Sequence, residues 1–193
     1  MKRNNPRFPL FVDLTDRKIL VVGGGRIASR RVETLCRFGG DITVVAPGTE
    51  KILEELARDG KVRLIRRAYR QEDLRGAWMV LAATDDRELN EEIRRQAKKE
   101  GAWVNVASDQ ELCDFHFPGI AKKDPVVVGI NAQGADHRLA RRVRERIQRL
   151  LDEEIAGGSK IQAGNGVKET GPQIIRDRGK EGDEDETDTC GEP

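Results

Sequence analysis

At 193 residues the chain is long enough for one ordinary domain plus a small appendage, and 37% hydrophobic against 36% charged side chains marks a highly charged, soluble protein. No apolar run approaches the roughly 20 residues of a bilayer span, and MKRNNPRFPLFVDL has too short an apolar stretch for a signal peptide, so a cytoplasmic location and no membrane partner are expected. The three cysteines, Cys36, Cys113 and Cys190, lie far apart and argue against a disulfide framework or a Cys-based zinc site. The net charge of +1 hides an asymmetry: residues 157–193 carry five basic and nine acidic side chains, and the other 156 carry 30 and 25. A balance of +5 on the main body is too modest for a nucleic-acid binder and suits a small polyanionic ligand.

In chain order, KILVVGGG is a continuous apolar run ending in glycines, as in a strand covered on both faces. IASRRVETLCRFG follows as a helix, with Ile27, Val32, Leu35 and Phe38 roughly at helical spacing. DITVVAP is a second buried strand, EKILEELARDG a helix stopped by Gly60, and VRLIRRAY a third strand. AWMVLAATDD reads as a fourth strand, RELNEEIRRQAKKEG as a long helix and AWVNVAS as a fifth strand. This rhythm makes βαβ units, and right-handed crossovers turn them into an α/β fold with a Rossmann-like, doubly wound parallel sheet. Past residue 115 the rhythm changes to two strands around a Lys-Lys-Asp-Pro turn, then an amphipathic helix with Leu139, Val143, Ile147 and Leu150 along one side. A lone hairpin is marginal in water, so this segment is expected to pack against a second copy of itself. Three regions result: a dinucleotide-binding domain over 1–114, a dimerisation segment over 115–156, and a disordered acidic tail over 157–193.

Gly23, Gly25 and Ala28 in VVGGGRIA match the G-x-G-x-x-G/A fingerprint, with Gly24 between the first two. The first glycine makes the tight turn, the second admits the pyrophosphate, and the third small residue lets helix pack on strand. A strong strand before it and a strong helix after it supply the context that makes such a triplet informative. The acidic residue that usually ends the second strand and grips the ribose is missing: the strand ends VVAPG, and Asp41 lies at its other end. Ribose recognition then falls to backbone around Pro47 and Gly48. Ala83 and Thr84 stand at the carboxyl edge of the fourth strand, where ligands of such sheets bind. Asp85 and Asp86 either join them or cap the next helix.

NVASDQELCDFHFPG, residues 105–119, packs Ser108, Asp109, Glu111, Cys113, Asp114 and His116 into nine positions after the fifth strand. With FPLFVDLTDRKILVVGGGRIASRRVETL and VLAATDDRELN, it resembles the precorrin-2 dehydrogenase/sirohydrochlorin ferrochelatase module of siroheme synthases, from about Phe8 to Leu151. The resemblance implies NAD-dependent dehydrogenation of precorrin-2 to sirohydrochlorin, with ferrous iron insertion following in bifunctional members. It also implies a homodimer that swaps a segment after the Rossmann sheet, and nucleotide contacts at Arg26, Ile27, Pro47 and Gly48. Two places depart from the family pattern: Ser108 stands where the catalytic aspartate usually falls, with Asp109 one step later, and NAQGADH replaces a Ser-x-Gly-Gly-x-Ser-Pro loop. The tail is expected to stand in place of the family's helical C-terminal piece.

The expected site therefore has Asp109 as the proton acceptor beside Ser108, and NAD held by Gly23, Gly24, Gly25, Arg26, Ile27, Pro47, Gly48, Ala83 and Thr84. Asn131, Arg138 and Arg141 are expected to meet the carboxylates of the tetrapyrrole, while the rest of the arginine row on that helix is a solvated face. Asp109 or Ser108 capping a short turn is the bland alternative. Two histidines, His116 and His137, without a cysteine cluster form no recognisable metal site, so any metal ligands are unknown. The rival reading is a non-catalytic dinucleotide-binding sensor or scaffold, which Ser108 favours and Asp109 disfavours. A third is a dehydrogenase that passes its product to a separate chelatase.

Overall fold

A computed structural model describes residues 7–133 and 136–157. The disordered tail expected over 157–193 falls outside the described residues but for Gly157, which ends the last helix. Five parallel strands form one sheet in the order β3-β2-β1-β4-β5: β1 Lys18–Val22, β2 Asp41–Val45, β3 Arg63–Ile65, β4 Met79–Ala82 and β5 Trp103–Val106. The crossovers are α1 Arg26–Leu35, α2 Lys51–Arg58, a short 3₁₀ turn at Gln71–Leu74, and α3 Arg87–Lys99. The doubly wound α/β sheet expected from the sequence is thus the one observed.

The central strands are apolar throughout because both faces are covered. Ile19, Val21, Val44 and Leu81 pack with Val32 and Leu35 of α1 and Leu53 of α2, while Leu20, Val22, Val80 and Val104 pack with Ile93 and Ala97 of α3. Each fully buried Val, Ile or Leu contributes roughly 1.5–3 kcal/mol relative to exposure, so β1 and its neighbours anchor the frame on which the strand ends sit.

Several boundaries differ from the sequence expectation. The third strand is three residues long, not eight. Past Ile65 the Arg67 guanidinium turns back to a two-pronged pair with the Asp73 carboxylate, at 2.6 and 2.8 Å, and takes the chain off the sheet edge. The fourth strand stops at Ala82, because Ala83 and Thr84 bend into the cleft described below. Ile27 does not join the core: it is 47% exposed on the cleft side, and Ala28 takes the buried position.

Beyond the sheet, β6 Gly119–Lys123 and β7 Val126–Ile130 form the expected hairpin around Asp124-Pro125, whose peptide bond is cis. The last helix, α4 His137–Gly157, lies on this hairpin, where the Gln148 side chain exchanges hydrogen bonds with the Lys122 backbone. Its buried anchor is Leu151. Among the described residues nothing covers the expected stripe fully: Leu139, Val143 and Leu150 are 45%, 37% and 55% exposed. An exposed apolar stripe of this kind marks a surface suited to contact with another segment or partner.

Candidate functional site

The carboxyl ends of β1, β2 and β4 meet at a cleft of about 700 Å³. All nine residues expected to hold a cofactor line it: Gly23 to Ile27, Pro47, Gly48, Ala83 and Thr84. They converge because the sheet order reverses there, β1 running to β2 on one side and to β4 on the other, which opens a crevice beyond the strand ends.

The three glycines do different work. Gly23 sits at φ +117°, donates its N–H to the Val45 carbonyl at 3.0 Å, and lies so close to β4 that a Cβ would collide with the Ala83 carbonyl. Gly24 abuts the other wall; its carbonyl accepts the Glu50 N–H at 2.9 Å, and a Cβ there would strike the Gly48 carbonyl. These two pack the loop between neighbouring strands. Gly25 is different: it is the N-cap of α1 at φ −80°, and a Cβ would find nothing within 4 Å. Its missing side chain leaves open space before uncapped N–H groups, with no acidic residue in the first turn of the helix. Such a helix N-terminus, with room before it for a Cβ to stand clear of every neighbour, fits a pyrophosphate.

Arg26 is the only basic side chain among the described residues lining the cleft. At the β2 end, Ala46, Pro47 and Gly48 present backbone, and among the described residues no carboxylate takes the usual ribose position. Thr49 hydrogen-bonds Glu54 at 3.3 Å, and Glu54 in turn holds Arg66 at 3.3 Å. The sequence reading missed Ala68, Tyr69 and Leu89, which complete the walls. The Tyr69 hydroxyl donates to Gln96 at 2.7 Å, and burial pushes its pKa up to about 12, so it stays a neutral wall. Of the Asp-Asp pair, Asp86 caps α3 through the Leu89 N–H at 3.0 Å, the local role weighed for it, while Asp85 also lines the cleft.

The acid-rich stretch after β5 resolves into two groups. Asp114 and Cys113 complete the open edge of β5. Asp114 accepts the Val104 N–H at 2.8 Å and the Lys98 ammonium at 3.0 Å, and Cys113 Sγ takes the Val106 N–H at 3.2 Å. Burial pushes the Cys113 thiol up, so it sits as a packed thiol. Ser108 and Asp109 form the turn between strand and return. Asp109 Oδ1 accepts the Glu111 N–H at 2.8 Å and Oδ2 faces the Arg87 guanidinium at 3.9 Å, so the turn-capping role is present whatever else the residue does. Neither Ser108 nor Asp109 is a wall of this cleft; Ser108 is linked to its Thr84 wall through Asn90.

The expected substrate contacts lie on the second segment. Asn131 follows β7 and flanks the His116 imidazole, while Arg138 and Arg141 are exposed in the first turns of α4, with Arg141 paired to Glu145 at 2.8 Å. Burial holds His116 below the ordinary histidine range, Arg7 adds to that, and its Nε2 is buried with no partner. Arg31 Nη1 and Asn105 Oδ1 share that condition, with the Arg31 guanidinium 5.6 Å from the Phe117 ring centre. No group of three or more potential metal ligands occurs among the described residues.

A family model described as "Putative NAD(P)-binding" matches residues 10–119, and the structure of SirC, a precorrin-2 dehydrogenase, matches with TM-score 0.65 at 30% identity over 78% of this chain and 74% of SirC. The chain belongs to this NAD(P)-binding family of siroheme-synthase modules. Within the family, the probable multifunctional siroheme biosynthesis protein HemA of Ruminiclostridium josui is 42% identical over 145 residues, covering 75% of this chain and 28% of that protein. Siroheme synthase 1 of Serratia proteamaculans is 41% identical over 143 residues, covering 74% and 30%. The chain thus spans less than a third of these curated relatives. Membership of the family supports a nicotinamide dinucleotide cofactor, and the glycine cradle fits the pyrophosphate of such a molecule. No described helix is long and apolar enough to cross a membrane.

Proposed function

We propose that this chain is a cytoplasmic, homodimeric precorrin-2 dehydrogenase that uses NAD rather than NADP and yields sirohydrochlorin. The observation that carries the reading is the open cradle at Gly25, set before the N-terminus of α1 at the switch point of the sheet, in a chain of the SirC family. NAD is favoured because the two basic residues directly after β3 are already engaged: Arg66 with Glu54 and Arg67 with Asp73. No cation lines the β2 end of the cleft among the described residues, so a 2′-phosphate would meet no counter-charge there.

A bound nicotinamide would supply the hydride acceptor. The protein must hold the substrate against it and take up the proton released with the hydride. Asp109 is assigned the proton, with Ser108 beside it; Asn131, Arg138 and Arg141 are assigned the substrate carboxylates. The homodimer would form through 115–156, covering the exposed Leu139, Val143 and Leu150. With Ser108 and the NAQGADH loop departing from the family pattern, the proposal stops at dehydrogenation and leaves iron insertion to a separate chelatase.

A second reading, a dinucleotide-binding scaffold, draws on Ser108 at the usual aspartate position and on Asp109 being held by Glu111 N–H and Arg87. Comparing NAD⁺ and NADP⁺ as oxidants of precorrin-2 tests the proposal. Turnover with NAD⁺ well above NADP⁺ is expected; tight NAD⁺ binding with no turnover selects the scaffold.

A further inference from the structure

We propose that Asn90 is a positioning residue that ties the cofactor loop to the turn carrying Ser108 and Asp109; the proposal rests on the dehydrogenase reading above. Asn90 lies one turn into α3 and is completely buried. Its amide oxygen accepts the Thr84 N–H at 3.1 Å and the Thr84 hydroxyl at 2.8 Å. Its amide nitrogen donates to the Thr84 carbonyl at 3.0 Å and to Ser108 Oγ at 3.4 Å. Two lone pairs and two N–H groups are all that a primary amide offers, and each faces a partner, the single Thr84 hydroxyl proton being shared between Asn90 Oδ1 and the Asp86 carbonyl at 2.9 Å.

The partners make this more than a satisfied core asparagine. Three of the four bonds grip Thr84, a wall of the nucleotide cleft whose backbone N lies 3.0 Å from where a Gly23 side chain would begin. The fourth crosses from α3 to the turn after β5. One side chain therefore joins the first glycine's neighbour, the start of α3 and Ser108. Donation from Nδ2 also occupies a lone pair of Ser108 Oγ, which turns the hydroxyl proton away from Asn90. An aspartate would lack the donors, and a serine would not span both strand ends. Because catalysis by proximity is sensitive to displacements of about 1 Å, slack in this bridge should cost about 10²-fold in turnover.

The experiment uses the full chain, NAD⁺ as the probe, and amide hydrogen exchange as the first readout. In wild type, NAD⁺ is expected to slow exchange over residues 23–28 and over 107–111. Asn90→Ala is expected to keep the first protection and lose the second, with kcat for precorrin-2 down about 10²-fold and KM changed less than about threefold. Should Asn90→Ala not fold, Ser108→Ala removes only the far arm of the bridge and is expected to lose protection of 107–111 on its own. Protection of 107–111 persisting in a folded variant overturns the proposal, as does a wild type protected at 23–28 alone. So does an Asn90→Ala enzyme whose only defect is a lower Tm. A wild type with the full protection pattern and no turnover supports the bridge while refuting the dehydrogenase reading, so the two failures are told apart.

Discussion

Gly25→Val separates cofactor binding from folding more cleanly than any other change in the glycine loop. At position 23 a side chain meets both a φ of +117° and the Ala83 carbonyl, and at 24 it meets the Gly48 carbonyl, so either substitution damages the fold first. Gly25 has φ −80° and ψ −175°, backbone that valine adopts readily, and nothing lies within 4 Å of the added Cβ. The fold should lose only the N-cap preference for glycine over valine, about 1 kcal/mol, or roughly 2–4 °C in Tm. The branched side chain would occupy the cradle before the α1 N–H groups. Hydrogen bonds to a charged group are worth about 1.5–3 kcal/mol each, so losing two amounts to about 3–6 kcal/mol. That corresponds to roughly 10²- to 10⁴-fold weaker binding. Calorimetric titration with NAD⁺ beside a thermal melt reads both numbers. A Gly25→Val protein that melts near wild type and binds NAD⁺ with wild-type affinity would refute the site.

Asp109→Ala should lower turnover about 10²- to 10⁴-fold while leaving NAD⁺ affinity unchanged, Ser108→Ala should cost less, and Ser108→Asp should be tolerated; normal steady-state turnover in Asp109→Ala moves the base elsewhere. Full-length protein should sediment as a dimer at micromolar concentration, and truncation after Gly157 should leave that state unchanged; a monomer contradicts the dimerisation segment. Burial holds folded His116 below its ordinary value of 6.5, so between the two values the unfolded chain binds more protons. Its contribution is therefore present above about pH 6.5 and lost as pH falls below it; denaturant melts of wild type and His116→Gln should diverge only on the acid side, and parallel curves from pH 5 to 8 would contradict the assignment.

The βαβ rhythm was legible because the strands are buried on both faces and read as unbroken apolar runs, KILVV and MVLA above all. The walls of the cleft were legible for the same reason: once strand ends are placed, Gly23, Pro47 and Ala83 must meet at the switch point. Strand ends were not legible where side-chain pairing decides them. VRLIRRAY alternates well enough for a strand, and only the Arg67–Asp73 pair, six residues apart, shows why it stops at Ile65. The acid-rich stretch was read as chemistry, whereas Asp114 and Cys113 serve the open edge of β5; a return segment pairing through side chains leaves no periodic trace. Asn90 was invisible in a helix of charged residues, since nothing in RELNEEIRR says which polar side chain turns inward. The apolar stripe of α4 was legible as a stripe, but its periodicity says nothing of what covers it, and the described residues leave Leu139, Val143 and Leu150 exposed.

The central claim is tested most directly by mixing purified protein, precorrin-2 and NAD⁺ without oxygen and following NADH and sirohydrochlorin absorbance together. Both should rise at the same rate in a one-to-one ratio, and with Gly25→Val at subsaturating NAD⁺ both should rise about 10²-fold or more slowly. Protein that binds NAD⁺ yet leaves precorrin-2 and NAD⁺ unchanged would contradict the account.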